Sequence, residues 1–126
     1  MPGMRARIAT EAQEQRAIFQ WAHAMRHKWP CLDLLFAIPN GGSRHPAEAR
    51  NLKLSGVKPG VPDMFLPVSS GRYHGLWIEL KRTKGGTISP DQMKWIVALG
   101  LRGFATYICH GADEAIKIIE NYLEGK

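Results

Sequence analysis

Residues 62–82, PDMFLPVSSGRYHGLWIELKR, decide how this chain folds. Two apolar runs, MFLPV (64–68) and LWIELKR (76–82), flank a polar segment that contains glycine, the pattern of an antiparallel hairpin. Side chains alternate along a strand, so Leu76, Ile78 and Leu80 share a core-facing side and Trp77, Glu79 and Lys81 share the other. Glu79 and Lys81 are therefore neighbours. Alone, a Glu-x-Lys triplet is an ordinary solvated hairpin face, and the same triplet ends the chain at Glu124-Gly125-Lys126 with no chemistry attached. Asp63 separates the two cases. It opens the first strand just as Glu79 closes in on the end of the second, so the two carboxylates are expected to converge.

Converging carboxylates repel each other unless a cation neutralises them. Hard oxygen donors of this kind suit Mg²⁺ or Mn²⁺, ions that keep several waters and complete their shell with substrate phosphate. A lysine beside such an ion can orient and help deprotonate an attacking water, or stabilise the charge that builds on a phosphate. The second Pro-Asp pair, Pro90-Asp91, is a useful contrast: in the first turn of a helix, proline and aspartate are both explained by helix geometry and dipole.

Working outward, residues 7–28 lack proline and glycine and read as a helix that starts near Thr10 and stops before Trp29-Pro30. LDLLFAI (32–38) reads as a short strand ended by a PNGG turn (39–42), and HPAEARNLKLSG (45–56) as a short helix with Pro46 at its first position. Beyond the hairpin, SPDQMKWIVALGL is a helix with Ser89 as cap and Gln92 completing a capping box. FATYIC (104–109) is a buried strand, and ADEAIKIIENYLE (112–124) an amphipathic helix with Ala112, Ala115, Ile116, Ile119 and Leu123 on one side. The order implies a small α/β domain spanning residues 1–126.

On the first helix, Ile8, Ile18, Phe19, Ala22 and Met25 centre an apolar stripe, and Glu11 and Gln15 fall inside it. A core-facing carboxylate needs a partner, so Glu11 is either a first-turn acid reaching water or part of a metal site. Glu14, at the stripe's edge, reads as a boundary residue and is the alternative to Glu11 as the helical acid of a metal site; Gln13 falls outside the stripe. His23 and His27 are four apart, but they lie on the polar side among Arg16, Arg26 and Lys28 and read as solvated. Trp21 and Trp29 read as packing residues.

Composition sets the frame. The 126 residues are 44% hydrophobic and 22% charged, and no apolar run approaches the length of a membrane span, so no membrane partner is expected. The start, MPGMRARIAT, lacks the apolar segment of a secretory signal, which points to the cytoplasm. Cys31 and Cys109 are too few for a disulfide framework and read as small buried apolar residues. A net charge of +6 suits a polyanionic partner, DNA first. The cations around the expected site are Arg44, Arg50, Lys53 and Lys58 before it and Arg82 and Lys84 after it, all suited to tracking phosphate.

The PD of Asp63 followed by the ELK of Glu79 to Lys81 resembles the active-site signature of the PD-(D/E)xK nuclease superfamily. The fuller set FAIPNGG, GVKPGVPDMFLPV, YHGLWIELKR and SPDQ resembles the stand-alone VRR-NUC (virus-type replication-repair nuclease) domains of phages and bacteria. The resemblance implies a restriction-endonuclease-like α/β core, a small mixed sheet flanked by helices. It implies that Asp63, Glu79, the Leu80 backbone carbonyl and Glu11 hold Mg²⁺ or Mn²⁺, with Glu11 and Gln15 matching a helical E-x-x-x-Q. Lys81 would then serve the nucleophilic water, and Gln92 would position phosphate or Lys81. The implied activity is metal-dependent endonuclease cleavage of DNA, structure-selective on branched forms such as four-way junctions, by a homodimer. A catalytically silent DNA-binding or scaffolding domain on the same fold is the alternative.

Overall fold

The computed structural model describes residues 8–39 and 45–126. In order, these form α1 (Glu11–Ala24), a 3₁₀ turn (Pro30–Leu34), β1 (Phe36–Ala37), α2 (Pro46–Leu54), β2 (Met64–Leu66), β3 (Leu76–Lys81), α3 (Pro90–Leu101), β4 (Ala105–His110) and α4 (Ala112–Leu123). The sheet has the order β1-β2-β3-β4 and is mixed: β2 runs antiparallel to β1 and β3, and β4 runs parallel to β3. A tight turn cannot join parallel neighbours, so α3 makes the crossover from β3 to β4.

The hairpin register pairs Met64 with Ile78 and Leu66 with Leu76, which places four apolar side chains on one face. They are buried together with Leu80, Ile18 and Ala22 of α1, and Ala115 and Ile119 of α4. Complete burial of side chains this size stabilises by roughly 1.5–3 kcal/mol each. The other face belongs to α3, where the Thr106 hydroxyl donates to the Ile96 carbonyl (3.4 Å). Near the hairpin this face is aromatic: Phe65 stacks on Trp77 with centroids 4.2 Å apart, and Phe36 and Phe104 meet Phe65 edge-on.

Pairing between β2 and β3 stops at Ile78, yet β3 continues through Glu79, Leu80 and Lys81, paired only with Ile108, Cys109 and His110 of β4. One strand thus outruns its neighbour, and the acid and base of the hairpin lie in the overhang. No helix among the described residues is long and apolar enough to cross a membrane.

Several sequence expectations are corrected. LDLLFAI is no continuous strand, because Leu32 and Leu35 are the buried residues, and a spacing of three buries one side of a turn, not one side of a strand. Only Phe36 and Ala37 reach the sheet. The first helix ends at Ala24, and the Trp29 N–H closes back on the Met25 carbonyl (3.0 Å) to redirect the chain. Its buried line is Ile18 and Ala22, one turn on from the half-buried Glu14, while Phe19 and Met25 are only half-buried and Ile8, 53% exposed, precedes the helix. On α4, Tyr122 is buried where Ile116 and Leu123 are only partly so. Cys109 is buried but Cys31 only half-buried. Arg44 and the Asn40-Gly41-Gly42 turn lie outside the described residues.

Candidate active site

Glu79 and Lys81 project from the α3 face of the overhang, and neither is solvated: Glu79 is 2% exposed and Lys81 8%. The ordinary explanation of a Glu-x-Lys pair, a wet hairpin face, therefore fails here. Their charged ends are 3.7 Å apart. Gln92, in the first turn of α3, bridges them. Its side-chain amide donates to Glu79 Oε1 (2.6 Å), and its carbonyl oxygen accepts from Lys81 Nζ (3.1 Å).

The same Gln92 oxygen accepts the Ser89 N–H (2.9 Å), while the Gln92 N–H donates to Ser89 Oγ (3.1 Å). The capping box expected from the sequence and a contact to both hairpin side chains are thus made by one residue. The two roles that sequence left as alternatives are compatible.

Asp63 lies on the same face, immediately before β2. Its Oδ2 accepts the Leu80 N–H (2.7 Å), which the short β2 leaves without a ladder partner on that side. The N–H and C=O of one strand residue point to the same side, so the Leu80 carbonyl is also turned towards the Asp63 side. The Ile38 N–H donates to the Asp63 carbonyl (2.7 Å), which ties the position to the segment after β1.

A cavity of about 610 Å³ is lined by Glu11, Asp63, Glu79, Lys81 and Gln92, together with Lys53 and Lys58. A second cavity of about 630 Å³ adjoins it, lined by Glu11, Gln15, Asp63 and Leu80. Glu11, Pro39 and Asp63 line both, whereas Gln15 lines only the second. Arg50, Arg82 and Lys84 are exposed and line neither cavity.

Among the described residues no three His, Cys, Asp or Glu side chains stand together as a formed metal cage. Glu11, Asp63 and Glu79, the three carboxylates expected at the site, line one cavity. Asp63 turns Oδ2 to a backbone donor, yet its carboxyl stays within hydrogen-bonding reach of Glu79. Electrostatics still registers the crowding. Burial first, and then the negative charge of Asp63, push the Glu79 carboxyl up to about 8 from 4.5; Lys81 opposes the shift and Glu11 adds to it.

Glu79 Oε2 is the buried atom that matters most, because it has no hydrogen-bond partner. An unpaired buried carboxylate oxygen costs about 1–3 kcal/mol or more. Its neighbours are carboxylates, and a hard divalent cation fits this donor set.

Sequence reasoning missed two other residues. Glu14, set aside as a boundary residue, reaches across to accept the Ala112 N–H and so caps α4, whose own cap position, Gly111, has no side chain. Trp95 donates from its indole to the Pro59 carbonyl (3.0 Å), and nothing in the periodicity of its helix marks it. A glycine at a helix N-cap was the available signal for the first; no local signal existed for the second.

Comparison with known proteins follows the same lines. The family model of the VRR-NUC domain matches residues 4–113. A solved structure described as a VRR_NUC domain protein superposes with a TM-score of 0.81 at 28% identity, covering 95% of this chain and 93% of its own. No curated protein matches.

Proposed function

The chain belongs to the VRR-NUC domain family, a family of nuclease domains, and from that premise we propose that it is a Mg²⁺- or Mn²⁺-dependent deoxyribonuclease. It hydrolyses phosphodiester bonds of branched DNA, four-way junctions among them, as a cytoplasmic homodimer in which residues 1–126 form one nuclease domain. The observation that carries this reading is the buried, unpartnered Glu79 Oε2 beside Asp63, in a cavity that Lys53 and Lys58 also line.

Asp63, Glu79, Glu11 and the Leu80 carbonyl would hold the cation. When bound, it supplies charge neutralisation and Lewis-acid activation of the phosphate and the attacking water. The remaining roles fall to this chain's side chains. Lys81, held by Gln92, lines the cavity, where its ammonium would orient the nucleophilic water and shield the charge that develops on the phosphate. Gln92 keeps both partners in place and itself moves no proton. Lys53 and Lys58 draw the DNA backbone into the cavity, while Arg44, Arg50, Arg82 and Lys84 extend the cationic surface without reading sequence. Gln15, on the neighbouring cavity, supports Glu11.

The test incubates purified protein with linear, nicked and four-way DNA in Mg²⁺, in Mn²⁺ and in EDTA. Cleavage that needs the ion, favours the junction and disappears in Asp63→Ala, Glu79→Ala and Lys81→Ala supports the reading. Mobility shifts without products under every condition would instead identify a silent DNA-binding domain.

A further inference from the structure

Gln92 is not the only side chain of α3 that serves the cavity. The segment Lys58-Pro59-Gly60-Val61-Pro62 leads directly into Asp63, and it is fastened to α3 at two points. Trp95, less than one turn beyond Gln92, donates its indole N–H to the Pro59 carbonyl at 3.0 Å. Gly60, at φ +86°, packs against the backbone of Asp91, so closely that a Cβ there would stand 2.6 Å from the Asp91 carbonyl carbon. Only glycine allows both that conformation and that approach. Asp91 and Trp95 flank Gln92 on the first turns of the helix.

We propose that Trp95 is a positioning residue: it clamps the 58–62 segment onto α3, so that Asp63 and Lys58 keep a fixed placement relative to the Glu79–Gln92–Lys81 set. The inference rests on the nuclease reading for its consequence but on geometry alone for the clamp. Asp63 is fastened to β3 through Leu80 and, by this segment, to α3, the element that carries Gln92. Without the α3 tie, Asp63 keeps its bonds from the Leu80 and Ile38 N–H groups but loses its link to the element that carries Gln92, so its placement relative to Gln92 is no longer fixed. Lys58, next to Pro59, lines the same cavity as the acids, so the same tie holds the backbone that carries it.

Trp95→Phe keeps an aromatic ring and removes the donor. Hydrogen exchange on the DNA-free, metal-free protein should show the amides of residues 58, 60, 61 and 63 exchanging about fivefold faster, the scale of one lost hydrogen bond, with β3 and β4 unaffected. Titrated with Mn²⁺ alone by calorimetry, the variant should bind several-fold more weakly. Its nicking should half-saturate at a correspondingly higher Mn²⁺ concentration and recover near the parent rate when Mn²⁺ saturates. A general loss of packing would instead lower the saturated rate and loosen the sheet.

Unchanged exchange over 58–63 overturns the clamp, even in an active nuclease. Faster exchange with unchanged Mn²⁺ affinity overturns the positioning role. If the parent protein binds Mn²⁺ and loses that affinity in Trp95→Phe yet cleaves no DNA, the clamp stands and the nuclease reading falls.

Discussion

Glu79 is where burial and chemistry conflict most directly. Its carboxyl is pushed up to about 8 from 4.5, so the folded state holds a proton that the unfolded chain releases near pH 4.5. The stability linked to that proton is complete below about pH 4.5 and is lost as pH rises towards 8, because over that window the unfolded state binds fewer protons. The thermal midpoint of metal-free protein should therefore fall between pH 5 and pH 8, and the fall should flatten in Glu79→Gln. Mn²⁺ competes with that proton, so it should raise the midpoint more at pH 8 than at pH 5, as differential scanning fluorimetry can measure. Gln92 allows a second separation. Glutamate serves a capping box as well as glutamine does, but it cannot donate to Glu79. Gln92→Glu should keep the helical circular-dichroism signal but lower the thermal midpoint of the metal-free protein, since it sets a further carboxylate against Glu79. It should also reduce nicking by about tenfold or more, the effect of a charge-assisted contact worth at least ~1.5 kcal/mol.

At the scale of elements, legibility in sequence followed how local the cause was. The cap of α3 was readable because Ser89, Pro90 and Gln92 fix it within one turn. The hairpin was readable because its alternation and its turn lie in one segment. The strand expected over 32–38 was not, since an apolar run of that length satisfies a turn and a strand equally, and the decision rests with Leu32 and Leu35 finding the core. The helical acids show the same limit. Glu11 and Glu14 lie within one turn of each other, and only the placement of α4 and the cavity sends Glu14 to a helix end and Glu11 to the acids. Glu14→Ala should destabilise the fold by about 1–2 kcal/mol in urea unfolding, the usual cost of a lost cap, with the ion dependence of nicking unchanged.

For the whole molecule, a net charge of +6 has to be converted into grip. Lys53, Lys58, Arg50, Arg82 and Lys84 are all exposed, and Lys53 and Lys58 line the cavity whereas Arg50, Arg82 and Lys84 do not. Affinity for DNA should fall linearly in log–log form with salt, and each of Lys53→Ala, Lys58→Ala and Arg82→Ala should reduce the slope by about one. Fluorescence anisotropy in Ca²⁺, between low and physiological salt, measures it. A slope that ignores all three would place the DNA on another surface. The overhang of β3 past β2 has its own implication for how such a molecule tolerates change. Asp63 faces Glu79 solely because the hairpin pairs Met64 with Ile78, and inserting or deleting a single residue between Leu66 and Leu76 that slid this pairing by one would send Asp63 to the opposite side of the sheet. The tip of that hairpin, far from any chemistry, is therefore the molecule's alignment gauge, and its length should be less free to vary than its composition.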